Sequence, residues 1–408
     1  MSKLQSQNKR KKVFTLIAVI GSIFLSFLLS ELLLRVIYKA PLLTAPVNSL
    51  QNHGEYGIFN VPNYEGIFRT SAGLTHIKIN AEGLRDHERN IEKDRSTLRI
   101  LALGDSYVWG HGVEFDDLFL SITELKLKKY LSSHFDESLR WTNADVVKVG
   151  VGGWGPANQL AFLKNEGDRY DPDVVVLCFF TGNDYADSLD PYQFAEYEGV
   201  RILRTSKLNI TWKRRMHLWG RKHLFTYGLV ADIGKWIIKG RKDPNPEDVY
   251  FLNNCRVTQS ERRTHEENTT FTIVNEFKRY CAEKKYSFYV LILPSRIEFD
   301  ENWAREIMKK YQLENSEIDL DLPTRKIRDY CEKNSIIHFE FLPVARKEVK
   351  NGLQGHFVSD SHYSPALHSV LGEFLFQKIL VTINNHGLDS KGEQSHPPDK
   401  PAQAPVCR

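Results

Sequence analysis

The chain has 408 residues, 41% of them hydrophobic and 26% charged, which is enough apolar content for a sizeable core and more length than one average domain. Its net charge of +4 is small and dispersed, so nothing in the balance calls for a nucleic-acid partner. Five cysteines, Cys178, Cys255, Cys281, Cys331 and Cys407, show neither metal-ligand spacing nor a dense disulfide pattern. Cys281 and Cys331 hold similar places in two successive predicted helices, which leaves one disulfide open.

Residues 1–12 form a basic tail ending in Lys9-Arg10-Lys11-Lys12, and an uncharged apolar run from Val13 to Ser30 follows directly. Its apolar character continues past Glu31 and Arg35 to Tyr38, so 13–38 reads as a transmembrane signal anchor. A cleaved signal peptide is the competing reading, but the run exceeds an ordinary signal core and no small-x-small site follows it cleanly. The basic flank predicts a cytoplasmic N-terminus and a single-pass chain whose remainder lies outside, periplasmic or extracellular. Residues 39–95 are predicted to be an irregular linker and lead-in, with Ile79–Arg85 their most defined piece and Arg89–Ser96 a solvated charged turn.

From 96 to 384 the pattern alternates strand and helix, which predicts a three-layer α/β/α domain with a parallel sheet. Leu98–Leu103 is a β-favouring run cut off by Gly104-Asp105-Ser106, and helical spacing returns over Asp116–Leu131. A second strand covers Val146–Gly150. Next come Gly152-Gly153-Trp154-Gly155-Pro156 and a short helix to about Lys164. Asp173–Phe180 is the clearest buried strand, ending in Thr181-Gly182-Asn183-Asp184. Residues 185–262 break the alternation and read as a basic, aromatic insertion, either a lid or a surface excursion. Alternation then resumes with a helix over 264–284, a strand at Ser287–Leu293, helical segments across 301–333, a strand near Ile336–Phe339 and a last helix over 364–380. Residues 385–408 carry no periodicity and are predicted to be a disordered tail.

Each candidate position has a bland reading. Gly-Asp-Ser alone is a turn with an N-cap, Gly153 a tight turn, Asn183 a turn former, and His362 one of fourteen histidines. Asp360 and His362, however, lie close enough for one loop to supply an imidazole and the carboxylate that orients it. Gly104-Asp105-Ser106, Gly153, Gly182-Asn183-Asp184 and Asp360-Ser361-His362, in that order at strand ends and loops, resemble the four sequence blocks of the GDSL or SGNH hydrolases. The lead-in Asn80–Arg85 is similar to that of a membrane-anchored, extracytoplasmic bacterial subgroup.

The resemblance covers about residues 78–184 and 355–381. It implies flavodoxin-like winding and no metal or organic cofactor. It also implies Ser106 as nucleophile, His362 as base, Asp360 as orienting acid, and an oxyanion hole of the Ser106 and Gly153 backbone N–H groups with the Asn183 amide. Two positions depart from the family pattern: the acid lies two residues before the histidine rather than three, and Lys148 and Gly150 occupy a neighbourhood where an Asn is usual. The expected function is a serine esterase or acyltransferase on an acyl ester or acylated cell-envelope glycan. A non-catalytic glycan-binding or assembly module is the alternative. A nucleotide-binding flavodoxin-like protein is disfavoured because no phosphate loop follows the first strand.

Overall fold

A computed structural model describes residues 2–37, 49–70, 73–134, 140–197, 200–204, 211–239, 246–357 and 361–386. Helix α1 spans Ser2–Ile37, and its Lys11–Ile37 stretch, 27 residues whose most apolar 18-residue window has mean hydropathy 2.4, is long and apolar enough to cross a membrane.

The lead-in is more regular than expected. β1 (Leu50–His53) pairs with β2 (Gly57–Asn60), and β3 (Glu65–Thr70) with β4 (Gly73–Lys78), as two antiparallel hairpins. These strands are short and lack clean alternation, which hides them from a periodicity reading. The charged turn after them is solvated only in part: Asn90, Glu92, Asp94 and Arg95 are exposed, but two cations are drawn inward. The Arg89 side chain, 9% exposed, lies between Asp86 and Glu124, and Lys93 pairs with Asp173. Lys148 also reaches Asp86 and Glu124, at 3.1 and 2.7 Å, so cations and carboxylates neutralise one another inside the fold.

The domain then runs β5 (Thr97–Gly104), α2 (Ser106–Trp109), α3 (Phe119–Ser133), β6 (Asn143–Gly150), α4 (Pro156–Glu166), β7 (Val174–Phe180) and α5 (Asp184–Asp187). The stretch read as an insertion is built from regular pieces: the hairpin β8 (Phe194–Tyr197) and β9 (Val200–Leu203), then α6 (Trp212–His223), α7 (Phe225–Lys239) and α8 (Pro246–Asn254). Next come α9 (Glu261–Lys284), β10 (Ser287–Leu293), α10 (Arg296–Phe299), α11 (Glu301–Lys310) and α12 (Leu322–Lys333). The chain closes with β11 (Ile337–Glu340), α13 (Leu342–Lys350) and α14 (Pro365–His386). The last helix runs past the expected boundary at 384; residues 387–408 lie outside the described residues.

All five sheet strands are parallel, in the order β6-β5-β7-β10-β11. This is flavodoxin-like winding, with the strand order reversing between β5 and β7. Because β5, β7 and β10 are covered on both faces, they are mostly apolar, with the buried Arg99 of β5 the chief exception, yet their side chains still alternate between two cores. Leu98, Ile100 and Ala102 face one core with Phe119 of α3 and Leu371 of α14. Leu101 and Leu103 face the other with Leu160 of α4, Phe277 of α9 and Ile327 of α12. Cys281 and Cys331 fall in this second core as buried free thiols, as are Cys178 and Cys255, so the disulfide left open by the sequence does not form.

Candidate active site

In open parallel sheets ligands collect beyond the carboxyl ends of the strands, where the order reverses. Here β5 delivers Asp105-Ser106 to that point and β7 delivers Asn183-Asp184. The Asp105 carboxylate caps α2 by accepting the Tyr107 N–H at 2.9 Å, so Ser106 opens the helix at the sheet rim. Gly104 pairs with Gly150 across β5 and β6. Helix α2 crosses directly over this pair, and a Cβ on Gly150 would lie 2.3 Å from the Trp109 nitrogen.

Arg85, buried in the lead-in, donates to the carbonyls of Trp109 (2.8 Å), Gly110 (2.7 Å) and Val113 (2.7 Å). Its guanidinium therefore satisfies the carbonyls that the short helix leaves open. Asn80 supports this contact by folding the preceding turn, its Oδ1 accepting from Leu84 N at 2.8 Å.

The imidazole comes from the loop before α14. Ser106 Oγ lies 2.7 Å from His362 Nε2, across 256 residues of sequence. Tyr363, fully buried, anchors the loop by donating its hydroxyl to Pro294 O at 2.6 Å, and Tyr107 donates to Ser361 O at 3.1 Å. His111 stacks on the His362 ring at 4.1 Å with an 18° interplanar angle, and Phe68 packs edge-on against His111. Further into α14, His368 accepts the Phe119 N–H, and burial pushes its pKa down to about 3, with His362 adding to the effect. It is neutral and structural at physiological pH. Asp360 lies outside the described residues, with Val358 and Ser359.

At the third corner Asn183 caps α5 and donates Nδ2 to Asp187 Oδ2 at 2.6 Å, while Gln193 holds the other Asp187 oxygen at 2.7 Å. Gly153 adopts φ +91°, a region open chiefly to glycine, and a Cβ there would meet Arg201 Nη1 at 2.7 Å. A Cβ on neighbouring Gly152 would lie 3.8 Å from Ser106 Cβ, which puts this loop beside the serine. Arg201, from β9, stacks its guanidinium on Phe194 at 4.7 Å.

Three buried carboxyls underlie the site. Burial pushes Asp105 up to about 6, against the Tyr107 N–H and the His362 ring, which pull it down. Burial likewise raises Asp187 to about 7 and Asp184 well above the ordinary carboxylate range, and the charge on Asp105 raises both further. Asp184 holds β7's end by accepting Phe180 N at 2.7 Å.

The structure thus gathers Ser106, His362, Gly153 and Asn183 at one rim. His111, Asp187 and Arg201 belong to the same site and were not singled out from sequence. His111 lies only five residues from Ser106, but nothing in the pattern announces a ring that stacks on one arriving from residue 362.

No family model and no curated protein matches the chain. Solved structures of GDSL-family and related esterases are similar to it. A protein described as lipolytic and of the G-D-S-L family, from Desulfitobacterium hafniense, aligns over 69% of this chain and 99% of its own at 11% identity, with a TM-score of 0.34. A catalytic mutant of Axe2, an acetylxylan esterase from Geobacillus stearothermophilus, aligns over 69% and 93% at 13% identity, TM-score 0.34. A two-domain esterase active on acetylated mannans aligns over 75% of this chain and 52% of its own at 12% identity, TM-score 0.38.

Proposed function

We propose that the protein is a membrane-anchored serine ester hydrolase that works through a Ser106 acyl-enzyme outside the cytoplasmic membrane. The observation that carries this reading is the 2.7 Å contact between Ser106 Oγ and His362 Nε2 at the switch point of the sheet.

With Nε2 unprotonated, the imidazole accepts the serine proton as Oγ attacks the ester carbonyl, and it returns that proton to the departing alcohol oxygen. Water then attacks the acyl-enzyme by the same route in reverse, or a sugar hydroxyl does so in transfer. The Ser106 and Gly153 N–H groups and the Asn183 side-chain amide are assigned to the developing oxyanion. Asp360 is assigned to the His362 Nδ1 proton, as the sequence expectation has it. An acylated glycan of the cell envelope suits the tether and the aromatic insertion, since aromatic faces offer apolar area with polar edges. The basic residues Lys9–Lys12, ahead of the apolar stretch of α1, support a cytoplasmic N-terminus.

A fluorophosphonate probe is expected to label Ser106 in the detergent-solubilised full chain, as mapped by peptide mass, and Ser106→Ala is expected to abolish the label. A folded chain that stays unlabelled would favour a glycan-binding module instead.

A further inference from the structure

The insertion does more than border the site: α6 and α7 are bound to the end of the apolar helix. Among the described side chains of α1 almost all are exposed, and the exceptions, Phe27, Ser30, Glu31 and Leu34, fall on one stripe. Glu31 accepts the backbone N–H groups of Phe225 (3.1 Å) and Thr226 (2.8 Å), so it satisfies the N-terminus of α7. Ser30 meets Thr226 side chain to side chain at 3.2 Å, and Arg35 donates to His223 O at 2.6 Å while its guanidinium lies 5.3 Å from the Phe225 ring centre.

These contacts fix a height. Between Lys12 and Glu31 the chain carries no charge, and 18 helical residues rise about 27 Å, close to the hydrocarbon thickness of a bilayer. Glu31 and Arg35 therefore mark the far headgroup level, and the α6–α7 junction is bonded to them. Helix α6, which ends at that junction, exposes Trp212, Met216 and Trp219 (66%, 62% and 56%), spaced i, i+4, i+7 along one face. Lys213, Arg214 and Arg215 are exposed beside them, and α7 adds exposed Val230 and Ile233. Tryptophans with flanking cations on a helix held at headgroup height match the chemistry of an interfacial helix.

We propose that α6 and α7 lie in the outer headgroup layer of the membrane that α1 crosses. There the Trp212–Met216–Trp219 stripe is immersed and Lys213–Arg215 contact anionic lipid phosphates. The inference rests on the reading of α1 as a membrane span. β8 and β9, which put Phe194 and Arg201 beside Gly153, belong to the same insertion, so the rim of the site and the interfacial pair come from one stretch of chain.

The test uses the full chain in nanodiscs of phosphatidylglycerol and phosphatidylcholine, in a Cys407→Ser background where the other four thiols are buried. Nitroxide labels at Met216→Cys, Ile23→Cys and exposed Leu125→Cys on α3 are compared for collision with oxygen and with a water-soluble nickel chelate. The expected result is a deep label at 23, an aqueous one at 125 and a headgroup-depth one at 216 that moves towards water when Lys213, Arg214 and Arg215 are all changed to Gln. A deep label at 23 with 216 as aqueous as 125 overturns the interfacial inference and leaves the anchor standing. An aqueous label at 23 overturns the anchor and the inference together. Protection at 216 only after an acidic polysaccharide is added overturns the lipid assignment in favour of a glycan.

Discussion

Asn183 and His111 show how single side chains at the rim depend on neighbours that do not touch the ester. Asn183 donates Nδ2 to Asp187, which fixes the amide plane at the rim of the sheet. Asn183→Ala is expected to lower kcat by about 10²–10³ with an unchanged circular dichroism spectrum, the usual cost of one oxyanion donor. His111 acts on the base. Stacked between Phe68 and His362, it confines the imidazole to the orientation that meets Ser106. His111→Ala should cost roughly tenfold in kcat through looser positioning, whereas His111→Phe, which keeps the face contact, should retain most of the rate. Loss of rate in both variants would show that the His111 nitrogens are needed.

Helix α2, a single turn, is the element on which the site hangs, and it is stabilised from outside itself. Arg85 replaces the carbonyl partners that a longer helix would provide. Arg85→Met should strand those acceptors and lower stability by at least about 2 kcal/mol in urea titration, with slower probe labelling of Ser106. Much of this element-level design is legible in the sequence. Continuous apolar runs announced β5, β7 and β10, whose bounds follow the runs because strands buried on both faces admit little else. The residues ending those strands named the rim. What escaped has a physical cause: Arg89 and Lys93 read as surface charge because a pattern of one chain cannot reveal carboxylates arriving from elsewhere. The lead-in hairpins were hidden for a different reason, since strands this short give weak periodicity.

At the scale of the whole molecule, the buried carboxyls set the response to pH. Asp187 holds its proton up to about 7 when folded but would lose it near the ordinary carboxylate value when unfolded, so folding takes up a proton between those two limits. Its contribution to stability is fully present below the unfolded pKa and is lost as pH rises through about 7; Asp105, raised to about 6, adds in the same sense over a slightly lower window. The urea midpoint of the full chain should fall between pH 5 and pH 8, and Asp187→Asn should flatten that slope. A slope unchanged in the variant would place the linked proton elsewhere. The contact between residues 106 and 362 also has a meaning in time. In the proposed topology, a chain crossing the membrane from its N-terminus exposes Ser106 early, with its strand and turn, but the imidazole arrives only after β7, β10, β11 and α13 have emerged. Until the final stretch is delivered and α14 docks on α3, the hydroxyl lacks its proposed base, so a partly exported chain is expected to be catalytically silent.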